Sequence, residues 1–164
     1  MADHPRLPKH NPNATVSSIS DWNSLDSTVT EIIIDNGVSE SGLTELDLTR
    51  FSQLKRLIVG DHCFAYVNEL KLIGMNELES VVIGESSFTR ETSCEDLNRH
   101  FYVKNCPSLK VLWIGPYSFS DYSVCEIENV DALELIRMSD WDDESSSFKY
   151  ASALKLRSIL FHCK

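Results

Sequence analysis

The chain has no C-x-x-C pair, and none of its cysteines stands at a metal-ligand spacing from another. Cys63, Cys94, Cys106, Cys125 and Cys163 make five, an odd number that argues for a reduced, intracellular and cytoplasmic protein over a disulfide framework. No apolar run approaches the roughly 20 residues that a membrane span needs. Met1 to Asn13 carry proline, histidine and lysine without a hydrophobic centre, so no secretory signal is expected, and the sequon at Asn13-Ala-Thr15 then has no consequence. Positive charge is scarce: 15 Lys and Arg against 25 Asp and Glu leave a formal charge of -10. Such a surface repels phosphate backbones and anionic lipid, so neither nucleic acid nor a membrane is an expected partner.

Catalytic signatures are missing too. There is no Gly-rich phosphate loop, no G-x-S-x-G and no H-E-x-x-H. His4 and His10 lie in a polar start, His62 in a turn, His100 in an insertion and His162 at the end. His62-Cys63 and His162-Cys163 are neighbours in sequence only, whereas a nucleophile and its base need facing side chains. Asp140-Trp-Asp-Asp-Glu144 offers oxygen ligands but lacks the glycine and spacing of a calcium loop. No enzyme activity, cofactor or metal is expected.

What is present is a repeat. Asn76-Glu-Leu-Glu-Ser-Val-Val-Ile-Gly-Glu-Ser-Ser-Phe88 has counterparts in Ser52-Gln-Leu-Lys-Arg-Leu-Ile-Val-Gly-Asp-His-Cys-Phe64 and Pro107-Ser-Leu-Lys-Val-Leu-Trp-Ile-Gly-Pro-Tyr-Ser-Phe119, with a variant at Asp131–Ser139. The first leucines, Leu54, Leu78, Leu109 and Leu133, are spaced 24, 31 and 24 apart. A period of that size predicts a β-rich solenoid of about five stacked coils of roughly 24 residues, with few helices. Each coil should hold two short parallel strands. The first begins with Val29–Ile34, and the second, weaker series runs through Leu46–Leu48, Leu70–Leu72, Phe101–Val103, Cys125–Ile127 and Leu154–Leu156. Phe51, Met75, Cys106 and Val130, three before each next first leucine, read as inward residues.

The chain divides into a polar, proline-rich tail at 1–15, an N-terminal cap at 16–28 and the repeats at 29–164. In the cap, Val16, Ile19, Trp22 and Leu25 recur every three residues, which suits a short helical turn over the first coil. Two insertions break the period: about seven residues around Glu91 to His100, and about five in the acidic run at 140–144. Both are expected to be loops outside the core. Phe64, Phe88, Phe119 and Phe148 should stack as an inner spine. Gly60, Gly84 and Gly115 close each first strand, where a turn with positive φ would suit glycine.

These residues resemble leucine-rich repeats. Leu78, Val81, Ile83, Ser86 and Phe88 fall at steps 0, 3, 5, 8 and 10, matching Leu-x-x-Leu-x-Leu-x-x-Asn-x-Leu with Phe in the last place. The Ile-Gly-x-x-Ser-Phe endings and the second strand per coil are similar to the BspA-like subgroup. The family's asparagine position holds His62, Ser86, Tyr117 and Trp141, so the usual ladder of buried asparagines is missing. The resemblance implies a scaffold that binds another protein.

Direction suggests where. Between the inward residues of the first strands lie Ile33, Ile58, Val82, Trp113 and Arg137, a mostly apolar row rimmed by Glu31, Arg56, Ser80, Val111 and Leu135. The equivalent row of the second strands, Asp47, Lys71, Tyr102, Glu126 and Lys155, is largely charged. The expected partner-binding residues are Ile33, Ile58, Val82, Val111, Trp113 and Arg137, with Trp141 on the acidic loop. β-Propensity alone would account for Ile33, Ile58 and Val82 but less well for Trp113. The alternatives are a structural module that forms a homo-oligomer through that face or the C-terminal end, and a surface or adhesion repeat domain.

Free cysteines have a direct test. All five thiols should react in denaturant without reductant, and an intact mass lower by two protons per bridge would refute this.

Overall fold

The computed structural model describes residues 12–90, 96–138 and 147–157. These residues form two parallel β-sheets with almost no helix. The first sheet contains, in spatial order, β1 (Asn13–Val16), β2 (Glu31–Ile34), β4 (Arg56–Val59), β6 (Ser80–Ile83), β8 (Val111–Ile114) and β10 (Leu135–Met138). The second contains β3 (Glu45–Leu46), β5 (Glu69–Ile73), β7 (Asp96–Lys104), β9 (Tyr122–Glu128) and β11 (Ala153–Arg157). From β2 onward the chain alternates between the sheets. Parallel neighbours cannot be joined by a tight hairpin, and a strand of the other sheet makes each crossover.

Alternation of side chains along each strand and a constant register together build the core. Leu57, Val81 and Leu112 are register partners, as are Val59, Ile83 and Ile114. Leu70, Phe101 and Cys125 align in the second sheet, with Leu72, Val103 and Ile127 beside them. All of these are buried in one cluster drawn from both sheets, together with Phe51, Met75, Cys106 and Val130. Each such aliphatic side chain contributes about 1.5–3 kcal/mol by leaving water.

The phenylalanine spine forms. Phe88 and Phe119 stack at 4.8 Å and 4° between planes, and Phe119 and Phe148 at 4.9 Å and 1°. Phe64 leans on Phe88 at 5.4 Å. The backbone arrangement differs from the sequence expectation in an instructive way. Gly60, Gly84 and Gly115 do not take positive φ; the left-handed residues are His62, Ser86 and Tyr117 and, two further on, Phe64, Phe88, Phe119 and Phe148, at φ 52° to 59°. Left-handed backbone at a bulky residue costs on the order of 1–3 kcal/mol and persists only where its surroundings hold it. Here the stack and hydrogen bonds to the neighbouring turn do so: the amides of Phe88, Phe119 and Phe148 donate to the carbonyls of Cys63, Ser87 and Ser118.

At the N-terminus the structure corrects the tail and cap boundaries. Asn13–Thr15, expected in the tail, pair with Glu31–Ile33, and Val16, expected in the helical turn, ends that strand fully buried against Ile34. An uncovered β2 would leave its edge amides unpaired, and β1 satisfies them. The helix α1 is short, Ile19–Asn23, with the Ser18 hydroxyl accepting from the Asp21 amide at 3.2 Å. Its Trp22 is buried edge-on to Phe51 and Phe64, at 5.7 and 6.2 Å. Residues 1–11 lie outside the described residues, as does the acidic run at 140–144.

The first insertion is a second correction. Asp96–His100 belong to β7 rather than to a loop, with a register shift against β9 between Asp96 and His100. Arg99 is fully buried. One of its Nη atoms donates to Asp121 at 2.6 Å, and the other to the carbonyls of Ala65 and Val67 at 2.7 and 2.8 Å. The guanidinium lies 4.6 Å from the Tyr122 ring centre, and the Tyr122 hydroxyl donates to the Val67 carbonyl. Charges taken out of water must be paired in this way. Leu97, the expected anchor of any packed helix there, is 70% exposed. Replacing Arg99 by Ala should therefore cost about 3–5 kcal/mol in denaturant unfolding, because Asp121 keeps a buried charge. Leu97→Ala in the same assay should stay within about 0.5 kcal/mol.

Candidate interaction surface

The outer face of the first sheet carries the residues singled out from sequence. Ile33, Ile58, Val82, Trp113 and Arg137 are consecutive register partners across β2, β4, β6, β8 and β10. Their inward neighbours Leu112 and Ile114 are fully buried, which turns Trp113 outward at 42% exposure. Ile33, Ile58 and Val82 are half-buried because each leans on the next. The Arg137 guanidinium carbon sits 5.0 Å from the Trp113 ring centre. An exposed cation–π contact of this kind is worth about 0.5–1 kcal/mol and holds the indole in one orientation.

The second row is also in register: Glu31, Arg56, Ser80, Val111 and Leu135. Glu31 and Arg56 form an ion pair at 2.8 Å, whereas Val111 is half-buried and Leu135 is 45% exposed. Apolar character therefore grows toward β10, where Val111, Trp113 and Leu135 meet. Trp141 lies outside the described residues.

The outer face of the second sheet has a different chemistry. Lys71, Tyr102, Glu126 and Lys155 align across β5, β7, β9 and β11. Glu126 accepts from both Lys104 and Lys155, the latter at 2.6 Å, and Lys71 pairs with Glu69 at 2.7 Å. The Lys104 ammonium also sits 5.0 Å from the Tyr102 ring centre. This face satisfies its own charges.

A ladder of buried hydroxyls escaped the sequence reading. The Ser87, Ser118 and Ser147 hydroxyls donate to the carbonyls of Gly60, Gly84 and Gly115 at 2.7, 2.6 and 2.8 Å. Ser87 and Ser118 also accept from the amides of Cys63 and Ser87, both at 3.0 Å. The signal was the serine before Phe88, Phe119 and Phe148. The Arg99–Asp121–Tyr122 cluster left no such mark, because an isolated arginine in a polar insertion looks like surface.

Cys63, Cys106 and Cys125 are free and buried, and burial raises each thiol, that of Cys125 to about 12. A thiol held protonated is a poor nucleophile. Cys94 and Cys163 lie outside the described residues. No group of three or more His, Cys, Asp and Glu is placed to hold a metal among the described residues, and no described helix is long and apolar enough to cross a membrane. An open groove of about 380 Å³ beside α1, lined by Ser17, Ser18, Val38 and Glu40 among others, brings no opposed charges together. No protein-family model, curated protein or solved structure matches the chain.

The charged face sets a pH dependence. Hydrogen bonds from Lys104 and then Lys155 lower the Glu126 carboxyl from its ordinary 4.5 to about 2. A carboxyl lowered on folding stabilises the protein fully above its unfolded value, and that contribution fades as pH falls from about 4.5 toward 2. The melting temperature should fall across that range, and Glu126→Gln should show a shallower fall in a parallel titration.

Proposed function

We propose that the chain is a leucine-rich-repeat-like solenoid of about five coils, and that it serves as an intracellular, cytoplasmic scaffold, without enzyme activity or cofactor, that binds another protein. The repeat of 24 residues, one strand per sheet per repeat and parallel pairing throughout both sheets support the solenoid. The apolar row ending in exposed Trp113 carries the functional reading. Aromatic and arginine side chains are over-represented among the residues that dominate binding energy, and here one of each stands beside Val82, Val111 and Leu135. Apolar area left in water costs roughly 25 cal/mol per Å², and a partner that covers it recovers that amount. Neither nucleic acid nor a lipid surface suits a chain of charge -10.

A second reading, a homo-oligomeric structural module, is favoured by Leu154 and Leu156, which are 58% and 48% exposed at the last described strand.

Capture of partners from the source cell, repeated with two variants, tests the first reading. Trp113→Ala should keep the melting temperature and weaken a captured partner by about 2 kcal/mol or more. Leu112→Ala should destabilise the fold by about 2–5 kcal/mol, since its side chain is fully buried. Binding unaffected by Trp113→Ala would move the contact away from this face.

A further inference from the structure

The two sides of the apolar row on the first sheet differ in charge. Just before the strands, Thr30, Lys55, Glu79, Lys110 and Glu134 continue the register, each amide from Lys55 onward donating to the carbonyl of the residue before it in that line. Signs alternate there, so the charges cancel between neighbours. Just after the strands the sign is constant. Asp35 follows β2, Asp61 follows β4 and Glu85 follows β6, and no lysine or arginine lies in the turns at 35–37, 60–62 and 84–86. Asp61 accepts from the Glu85 amide at 2.7 Å and Asp35 from the Ser17 hydroxyl, both neutral donors that leave the charge in place. None of the three forms an ion pair with a lysine or arginine among the described residues. The apolar row is therefore bounded along one side, from β2 to β6, by uncompensated negative charge.

We propose that the occupant of this face is a basic amphipathic helix of a partner protein. It lies across the strands, its apolar stripe on Ile58, Val82 and Trp113 and its lysines or arginines over Asp61 and Glu85. The inference rests on the reading of this face as a contact surface and adds the partner's chemistry. Charge complementarity selects cations for that flank, since an acidic segment would be set against three carboxylates. Spacing selects a helix. Neighbouring strands lie about 4.8 Å apart, so the row repeats at that interval over about 19 Å from β2 to β10. Successive turns of a helix are about 5.4 Å apart, and about 13 residues cover that length with positions i, i+4, i+7 and i+11 over successive strands. Same-face residues of an extended segment are about 6.6–6.8 Å apart and fall out of step within two strands. At the far end Arg137 lies over the Trp113 ring, which confines the cationic flank to the carboxylate side.

The probe is a synthetic peptide of about 14 residues with leucine on one stripe and lysine along one flank, and its control carries glutamate for lysine. Titrated calorimetrically into the full chain at physiological ionic strength, the lysine peptide should bind with a micromolar Kd and gain helical circular dichroism. The glutamate peptide should bind at least about tenfold more weakly. Trp113→Ala should weaken the lysine peptide about thirtyfold. Glu85→Lys should weaken it about tenfold and strengthen the glutamate peptide, with melting retained because Glu85 is exposed. Glu45→Lys, at an exposed position of the second sheet, should change neither affinity by more than about twofold. No binding of the lysine peptide overturns the proposal, and so does an equal response to Glu45→Lys, which marks unspecific attraction to an acidic chain. If both peptides bind alike and both need Trp113, the face is a contact surface but its carboxylates do not choose the partner. Binding indifferent to Trp113→Ala overturns this proposal together with the reading it rests on.

Discussion

Successive turns approach one another so closely after Ile83 and Ile114 that only hydrogen fits at the next position. A Cβ on Gly84 would lie 2.7 Å from the carbonyl carbon of Gly60, and one on Gly115 would lie 2.7 Å from the same atom of Gly84. Neither contact can relax by moving a side chain, since both are backbone. The rest of the turn depends on this spacing. Each glycine carbonyl receives the serine hydroxyl of the following turn, and the next residue, phenylalanine, enters the spine within 5 Å of its neighbour at the Phe88–Phe119 and Phe119–Phe148 contacts. Widening the approach by even an ångström would lengthen those hydrogen bonds beyond useful range.

The serine ladder supplies the buried side-chain hydrogen bonds of these turns, one residue after the eighth step of the repeat. That step is left-handed at Gly37, His62, Ser86 and Tyr117, a conformation asparagine tolerates well. The hydrogen bonding falls one residue on, to Ser87, Ser118 and Ser147: all three hydroxyls donate, and those of Ser87 and Ser118 also accept. His62 and Tyr117 are thereby free of any buried role. Asparagine is used instead after the second strands. Asn105 and Asn129, with Gly74 in the same series, take φ 54° to 68°, and the Asn129 side chain donates to that of Asn105 at 2.8 Å.

How far the sequence could be read follows from which constraints are periodic. Pairings such as Val82 with Trp113 and Tyr102 with Glu126 were legible, because a slip of one residue would turn every core side chain outward. Asn13–Thr15 were not, since a polar edge strand has no buried row to give it away. The glycines were recognised as necessary but for the wrong cause: sequence shows that a side chain is excluded, not whether conformation or contact excludes it. Arg99 was missed for a related reason. A charge is assigned to the surface unless its partners are known, and Asp121, Ala65 and Val67 lie 22 to 34 residues away.

The contrast between the two outer faces bears on the apolar row. Strand propensity favours β-branched and aromatic residues on any pleated surface, and both sheets here are parallel, continuous and built on the same repeat. Propensity alone would then enrich both faces alike. Instead the second sheet alternates Lys104, Glu126, Lys155 and Glu128 and closes their charges among themselves, while the first runs Ile33, Ile58, Val82 and Trp113 in line. The one ion pair at the rim of that row, Glu31 with Arg56, lies at the end away from Trp113. Toward β10 the rim itself becomes apolar, with Val111 and Leu135, and the only charge on the row is the arginine that lies against the indole. Propensity therefore accounts for the residue types of the row but not for its confinement to one sheet, nor for the increase in exposed apolar area along it. Both follow if that end of the face is kept apolar for contact.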